Sequence, residues 1–213
     1  MFEYTIFFLI ILILSIILHE VAHGYAADYL GDPTARLSGR LTLNPAPHID
    51  PLGSVVIPAF LVLTQSPMLF GWAKPVPYNP YNLRGGKWAE AFVAFAGPAV
   101  NILLAVGFGM VVRFGGDVLP ALTLTLASVI VYTNIVLAIF NLLPIPPLDG
   151  SKILRAMLPY KGYLAYVRFE QWITGLGVFG MFALLFLVIM VIGPYIHIVF
   201  NTLFQLITGA RFL

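Results

Sequence analysis

The chain has no cysteine, which excludes disulfides and thiolate zinc sites; any tightly held metal must use His, Asp or Glu. It is almost as short of charge. Only 9% of its 213 residues are Asp, Glu, Lys or Arg, against about 25% in a soluble domain. With 60% hydrophobic residues and a mean hydropathy of +0.95, a soluble fold is excluded and a bilayer is the expected solvent. The net charge of +2 is too small to suggest a nucleic-acid partner. Internal repeats and low-complexity linkers are also missing, so the length reads as one compact membrane domain. The first apolar run lacks a basic leader and an A-x-A site, and it is expected to be a membrane helix, not a signal peptide.

What is present is concentrated in five residues at the end of that run: His19-Glu20-Val21-Ala22-His23. A helix brings residues four apart onto one face, so His19 and His23 can point at one metal ion. Glu20 can reach water beside that ion. This is the HExxH pattern of zinc hydrolases, with two imidazole ligands and a carboxylate general base. Polar groups are expensive at the end of a lipid-grade helix, which favours a functional role over chance.

Along the chain, a first helix is expected over residues 3–30, ending at Gly31-Asp32-Pro33. Residues 35–43 alternate with period two and read as one or two short strands. Residues 52–64 are apolar but shorter than the roughly 20 residues a span needs, so they read as re-entrant or interfacial. Alternate prolines force the segment from Phe70 to Pro80 into an extended backbone. Long helices are expected over 87–114 and 119–143, a short helix over 151–158 and an amphipathic one over 162–172. Residues 175–207 are apolar and interrupted by Gly193-Pro194; the number of spans there stays open. The expected fold is an all-α polytopic membrane protein. It has a three-helix catalytic core, a short re-entrant segment, a small β-strand region and one or more C-terminal membrane helices. Residues 1–160 would form the core and 161–213 the C-terminal helices of the same domain.

If residues 52–64 do not cross, the third long helix returns Asp149 to the side that holds His19 and His23. Nine cationic residues fall on that side: Arg36, Arg40, Lys74, Arg84, Lys87, Lys152, Arg155, Lys161 and Arg168. Only Arg113 and Arg211 lie elsewhere, so the positive-inside rule makes it the cytoplasmic side. A catalytic zinc commonly has three protein ligands and an open position. Asp149, after a proline-stiffened stretch, is the best third ligand; alone, Asp-Gly before a helix is an ordinary turn or cap. Asn141 could donate to an oxyanion or simply bond another helix. Asn101 and Asn134 read more as helix glue, His48 as structural, His197 as interfacial, and Tyr78 and Tyr81 as membrane-belt residues.

The HExxH helix, Ala96-Gly97-Pro98 in a second helix and Asn141-Leu142-Leu143-Pro144 followed by Leu148-Asp149-Gly150 after a third resemble the site-2 proteases. Gly39-Arg40-Leu41-Thr42-Leu43-Asn44-Pro45 and Phe70-Gly71-Trp72-Ala73-Lys74-Pro75-Val76 are similar to the compact prokaryotic branch without PDZ or CBS domains. The resemblance covers about residues 1–160. It implies an intramembrane zinc metalloprotease of regulated intramembrane proteolysis, in a multi-pass protein of a prokaryotic cell membrane. One zinc would be held by His19, His23 and Asp149, with Glu20 as base and Asn141 assisting. The substrate would be a transmembrane protein or peptide, cleaved near the cytoplasmic face in contact with lipid. The rival expectation is a zinc-binding carrier or scaffold without hydrolysis, for which an acid between the histidines has no use.

Overall fold

The computed structural model describes residues 2–65 and 72–210. Phe70, Gly71 and Arg211, which entered the sequence reading, lie outside them. The protein is helical: α1 (Phe2–Tyr29), α2 (Thr34–Leu37), α3 (Ile57–Leu63), α4 (Lys87–Gly115), α5 (Ala121–Asn141), α6 (Asp149–Met157), α7 (Tyr160–Gly175) and α8 (Gly177–Thr208). Four stretches are long and apolar enough to cross a bilayer: Ile6–Tyr29, Lys87–Gly115, Ala121–Asn141 and Phe186–Thr208. This is a multi-pass membrane protein.

The expected strands over residues 35–43 are not found; among the described residues there is no strand. The physical reason is in the turn chemistry. Gly31 at φ +104 ends α1 with paired bonds from Gly31 N to Asp28 O and from Asp32 N to Ala27 O. Gly39 at φ +65 ends α2 in the same way, with Gly39 N donating to Arg36 O and Arg40 N to Ala35 O. Between the two left-handed glycines, Pro33 precedes one helical turn, and the alternation over residues 35–43 cannot outvote these local bonds.

Asp32 fixes this corner. It is fully buried and accepts from Thr34 Oγ1 at 2.6 Å, Asn79 N at 2.6 Å and Asn82 Nδ2 at 2.8 Å. Burial would raise its pKa. The Thr34 hydroxyl, the Asn82 amide and the Asn79 and Thr34 N–H groups outweigh that and hold it below the ordinary 3.8. A folded value below the unfolded one means stabilisation that is complete above the unfolded value and is lost as pH falls through the folded one. Asp32→Asn is therefore expected to lower Tm at pH 7 by about 3–6 °C. It should also flatten the drop in Tm on acidification below pH ~4. Thermal unfolding in detergent across that range checks both; an unchanged acid limb counts against Asp32 as its source.

The excursion from residue 31 to residue 83 closes on itself, because Arg84 N donates to Leu30 O at 2.8 Å. It leaves and re-enters the bundle at one end. The apolar piece inside it, a π-helical turn over Pro51–Val56 continuing into α3, therefore adds no net crossing. Asp50 caps its start by accepting from Leu52 N and Gly53 N.

The open C-terminal topology resolves into one helix carrying Pro194 within it. Phe200 and Phe204 of α8 pack with Ala105 of α4 and with Val131 and Ile135 of α5. Arg113, near the end of α4, donates to Leu206 O at 2.7 Å. A methyl group on Gly109 would run into the Ile207 side chain, so glycine sets the close approach of α4 and α8. The helix α4 is the hub, packing against α1, α5, α6 and α8.

Candidate metal centre

Two helix ends meet at one point. His19 and His23 project from the same face of α1, and Asp149 is the first residue of α6. All three are buried. The His19 and His23 Nε2 atoms are 3.0 Å apart, and each lies 3.1 Å from Asp149 Oδ2. The described residues hold this one group of three His, Asp or Glu side chains close enough to share an ion.

The outer ring nitrogens explain why the inner ones converge. His19 Nδ1–H donates to Asn101 Oδ1 at 2.6 Å, and His23 Nδ1–H donates to the Val93 carbonyl at 2.7 Å. Neutral imidazoles held this way present bare Nε2 lone pairs to one another and to the carboxylate. Three electron-rich atoms in a buried space call for a shared positive charge. The donor set, two imidazole nitrogens and one carboxylate oxygen, suits zinc with an open position. Burial alone would raise the Asp149 pKa. The ammonium of Lys152 beside it works the other way and favours the ionised, ligating form. Lys152 Nζ sits 3.5 Å from the other oxygen, Oδ1.

Space at the centre depends on α4. At Gly97 a Cβ would lie 2.5 Å from His23 Nε2 and 2.6 Å from His19 Nε2. One turn later Asn101, on the same face, holds His19. Asn101 Nδ2 then donates to Asn134 Oδ1 at 2.8 Å, and Asn134 Nδ2 donates to Ser15 Oγ at 3.0 Å. Both asparagines are fully buried. Helix glue is thus half of their role: the same ladder also orients a candidate ligand. The signal for it was in the sequence, as a glycine and an asparagine at i and i+4 inside an apolar helix.

The remaining candidates fall into place less centrally. Glu20 is half-buried and accepts from Val76 N at 2.8 Å. Asn141, at the C-terminal end of α5, donates Nδ2 to Leu137 O of its own helix. His48 is buried in the excursion and donates Nε2–H to Thr42 O, away from the cluster. His197 pairs with Asn201 on an exposed stretch of α8. Tyr81 is exposed as a belt residue would be, but Tyr78 is not one: its ring lies 5.5 Å from Lys152 Nζ, and its hydroxyl reaches Glu90 Oε1 at 3.5 Å. Beyond it, Arg155 bridges Glu90 at 2.5 Å and Glu170 at 2.9 Å, tying α6 to α4 and α7.

A buried two-histidine, one-aspartate cluster among membrane helices has the make-up of an intramembrane metal site. Comparison with known proteins narrows the class. The sequence profile of Peptidase family M50 matches residues 108–184. YwhC of Bacillus subtilis (strain 168) is 41% identical over 160 residues, covering 72% of this chain and 69% of YwhC. Rip2 of Mycolicibacterium smegmatis is 29% identical over 75% of this chain and 60% of its own length. Rip2 of Mycobacterium tuberculosis H37Rv is 27% identical over 87% of this chain and 66% of its own. All three carry the name "Putative zinc metalloprotease". The chain spans about two thirds of the length of these relatives. No solved structure gives a significant match. The chain belongs to peptidase family M50, the zinc metalloproteases of the site-2 type.

Proposed function

We infer that the protein hydrolyses peptide bonds of membrane-embedded substrates, close to the cytoplasmic face of a prokaryotic cell membrane. It uses one zinc ion per chain held by His19, His23 and Asp149. The observation that carries this reading is the convergence of two imidazole Nε2 atoms and one carboxylate oxygen within about 3 Å, beside a glutamate that follows the first histidine. The bias of Arg and Lys towards the motif side supports the orientation.

When bound, zinc would polarise the scissile carbonyl and lower the pKa of attacking water. The chain's own residues do the rest. Glu20 accepts a proton from that water on a carboxylate oxygen and passes it to the departing amine nitrogen. Asn141 spends one amide N–H on Leu137 O, and its second is the candidate donor to the developing oxyanion. Asn101 and the Val93 carbonyl keep both imidazoles in the ligating tautomer. A helical substrate hides its carbonyls and must be unwound before attack. The extended segment over residues 72–79 is a candidate edge to receive the unwound stretch. Pairing there is restricted: Pro75 and Pro77 have no N–H, and Val76 N–H is taken by Glu20.

The purified protein is expected to contain about one zinc per chain by elemental analysis and to cut a single-span test substrate inside its apolar segment. A preparation that holds zinc and cuts only soluble peptides would count against the intramembrane reading. A folded preparation without zinc would count against the centre itself.

A further inference from the structure

The extended segment lies across α1 immediately after the histidine motif, and it is fastened at every step. Trp72 N donates to Gly53 O at 3.1 Å, and Ser54 Oγ donates to Trp72 O at 2.7 Å. Lys74 N donates to His48 O at 2.9 Å. Arg40 Nη2 donates to Lys74 O at 2.8 Å and to Pro75 O at 3.3 Å. At the far end Asn79 N donates to Asp32 Oδ2. The next amide after the two carbonyls held by Arg40 is Val76 N, and it donates to Glu20 Oε2 at 2.8 Å.

Three features argue that this contact is built. Gly24, one residue past His23, leaves room for the segment: a Cβ there would lie 2.9 Å from Val76 Cγ1 and 3.1 Å from Ala35 Cβ. The prolines on both sides of Val76 hold the backbone extended, so its N–H cannot turn into a local hydrogen bond. Arg40 is only 7% exposed, and among the described residues its hydrogen-bond partners are two carbonyls and no carboxylate. Burying a guanidinium to hold main-chain oxygens is expensive unless the register of that main chain matters. A glutamate side chain has three rotatable bonds, and one fixed N–H on one carboxylate oxygen leaves the other aimed in a defined direction.

We propose that the residue 72–79 strap is part of the catalytic apparatus, with Val76 N–H orienting the Glu20 carboxylate and Arg40 acting as the positioning residue that sets the strap's register. The proposal rests on the reading of Glu20 as general base. It predicts a defect in turnover rather than in metal or substrate binding.

Val76→Pro removes the N–H and replaces the valine side chain with a ring in a stretch that already tolerates proline, while Val76→Ala removes the side-chain packing and keeps the N–H. The full-length protein is assayed in detergent on a single-span substrate, with zinc content and thermal unfolding measured on the same samples. Val76→Pro is expected to have a kcat 10- to 100-fold below that of Val76→Ala, with KM within about twofold and zinc content unchanged. Arg40→Met should show the same kcat-selective loss, and Arg40→Lys, which can still donate to a carbonyl, should recover at least part of it. Equal kcat values for Val76→Pro and Val76→Ala, or losses that follow zinc content or KM, would overturn the proposal. Glu20→Gln separates the two levels. If it still cleaves, the assignment of the base has failed. If it is inactive while Val76→Pro is as active as Val76→Ala, only the strap proposal has failed.

Discussion

Glu20→Gln is expected to reduce cleavage of a single-span substrate by about 100- to 10,000-fold while leaving zinc content at the parent level. The amide is the same size as the carboxylate and can still contact its surroundings, but it cannot take a proton from water. The proposed ligating atoms come from His19, His23 and Asp149, and the outer partners of the two histidines are Asn101 and the Val93 carbonyl, so the substitution touches none of them. The bond that Glu20 accepts from Val76 N can be kept by the amide oxygen. Activity and elemental zinc measured on one preparation decide the matter. A carrier or scaffold would show no difference between the two proteins, because neither needs a base. Retained cleavage would refute Glu20 as the base, and lost zinc would give it a structural part the geometry does not suggest.

Gly97→Ala should be as damaging by another route. The added methyl would sit 2.5 Å from His23 Nε2 and 2.6 Å from His19 Nε2, the two nitrogens proposed to hold the ion. Zinc–nitrogen bonds are about 2.0–2.1 Å long, so the methyl and the ion compete for one space. Zinc affinity is expected to fall at least about 100-fold, and activity with it. Helix α4 itself should not suffer, since alanine is the better helix former by about 1 kcal/mol. Gly107→Ala supplies the comparison within the same helix. A Cβ at Gly107 meets nothing within 4 Å, so that variant should keep its zinc and unfold no earlier than the parent. Zinc titration and thermal unfolding of the pair give the answer. Equal zinc affinities would mean that α4 can shift away from the imidazoles.

The parts of the protein that obey one strong local rule were legible in the sequence. The HExxH helix, the other long apolar helices and the return of Asp149 to the motif side follow from hydrophobic length and from the shortness of residues 52–64. The strand expectation failed where period-two alternation over a few residues met two left-handed glycines, Gly31 and Gly39, that close helical turns. The C-terminal segment stayed open because Gly193-Pro194 reads as a break. In an apolar helix a proline removes one internal bond and neighbours absorb the bend, so α8 continues through Pro194. The three side chains that converge, His19, His23 and Asp149, are those the sequence singles out as candidate ligands. Gly97, Arg40 and Val76 stand inside the family-like motifs and Asn101 one turn past one of them, but their parts were not legible there, because they act through an absent side chain, main-chain atoms and a shared helix face. Asn141 remains a sequence-level candidate whose side chain, in the structure, bonds to its own helix.

The ladder from Ser15 through Asn134 and Asn101 to His19 joins α1, α5 and α4 in hydrocarbon. In lipid the bonded groups have no other interhelical partners once the helices part, so separating any one of the three helices leaves bare polar groups in hydrocarbon. Insertion into the membrane and arming of the first histidine are thereby one cooperative event. A bundle in which α4 has not docked would leave His19 without the partner that turns its ring.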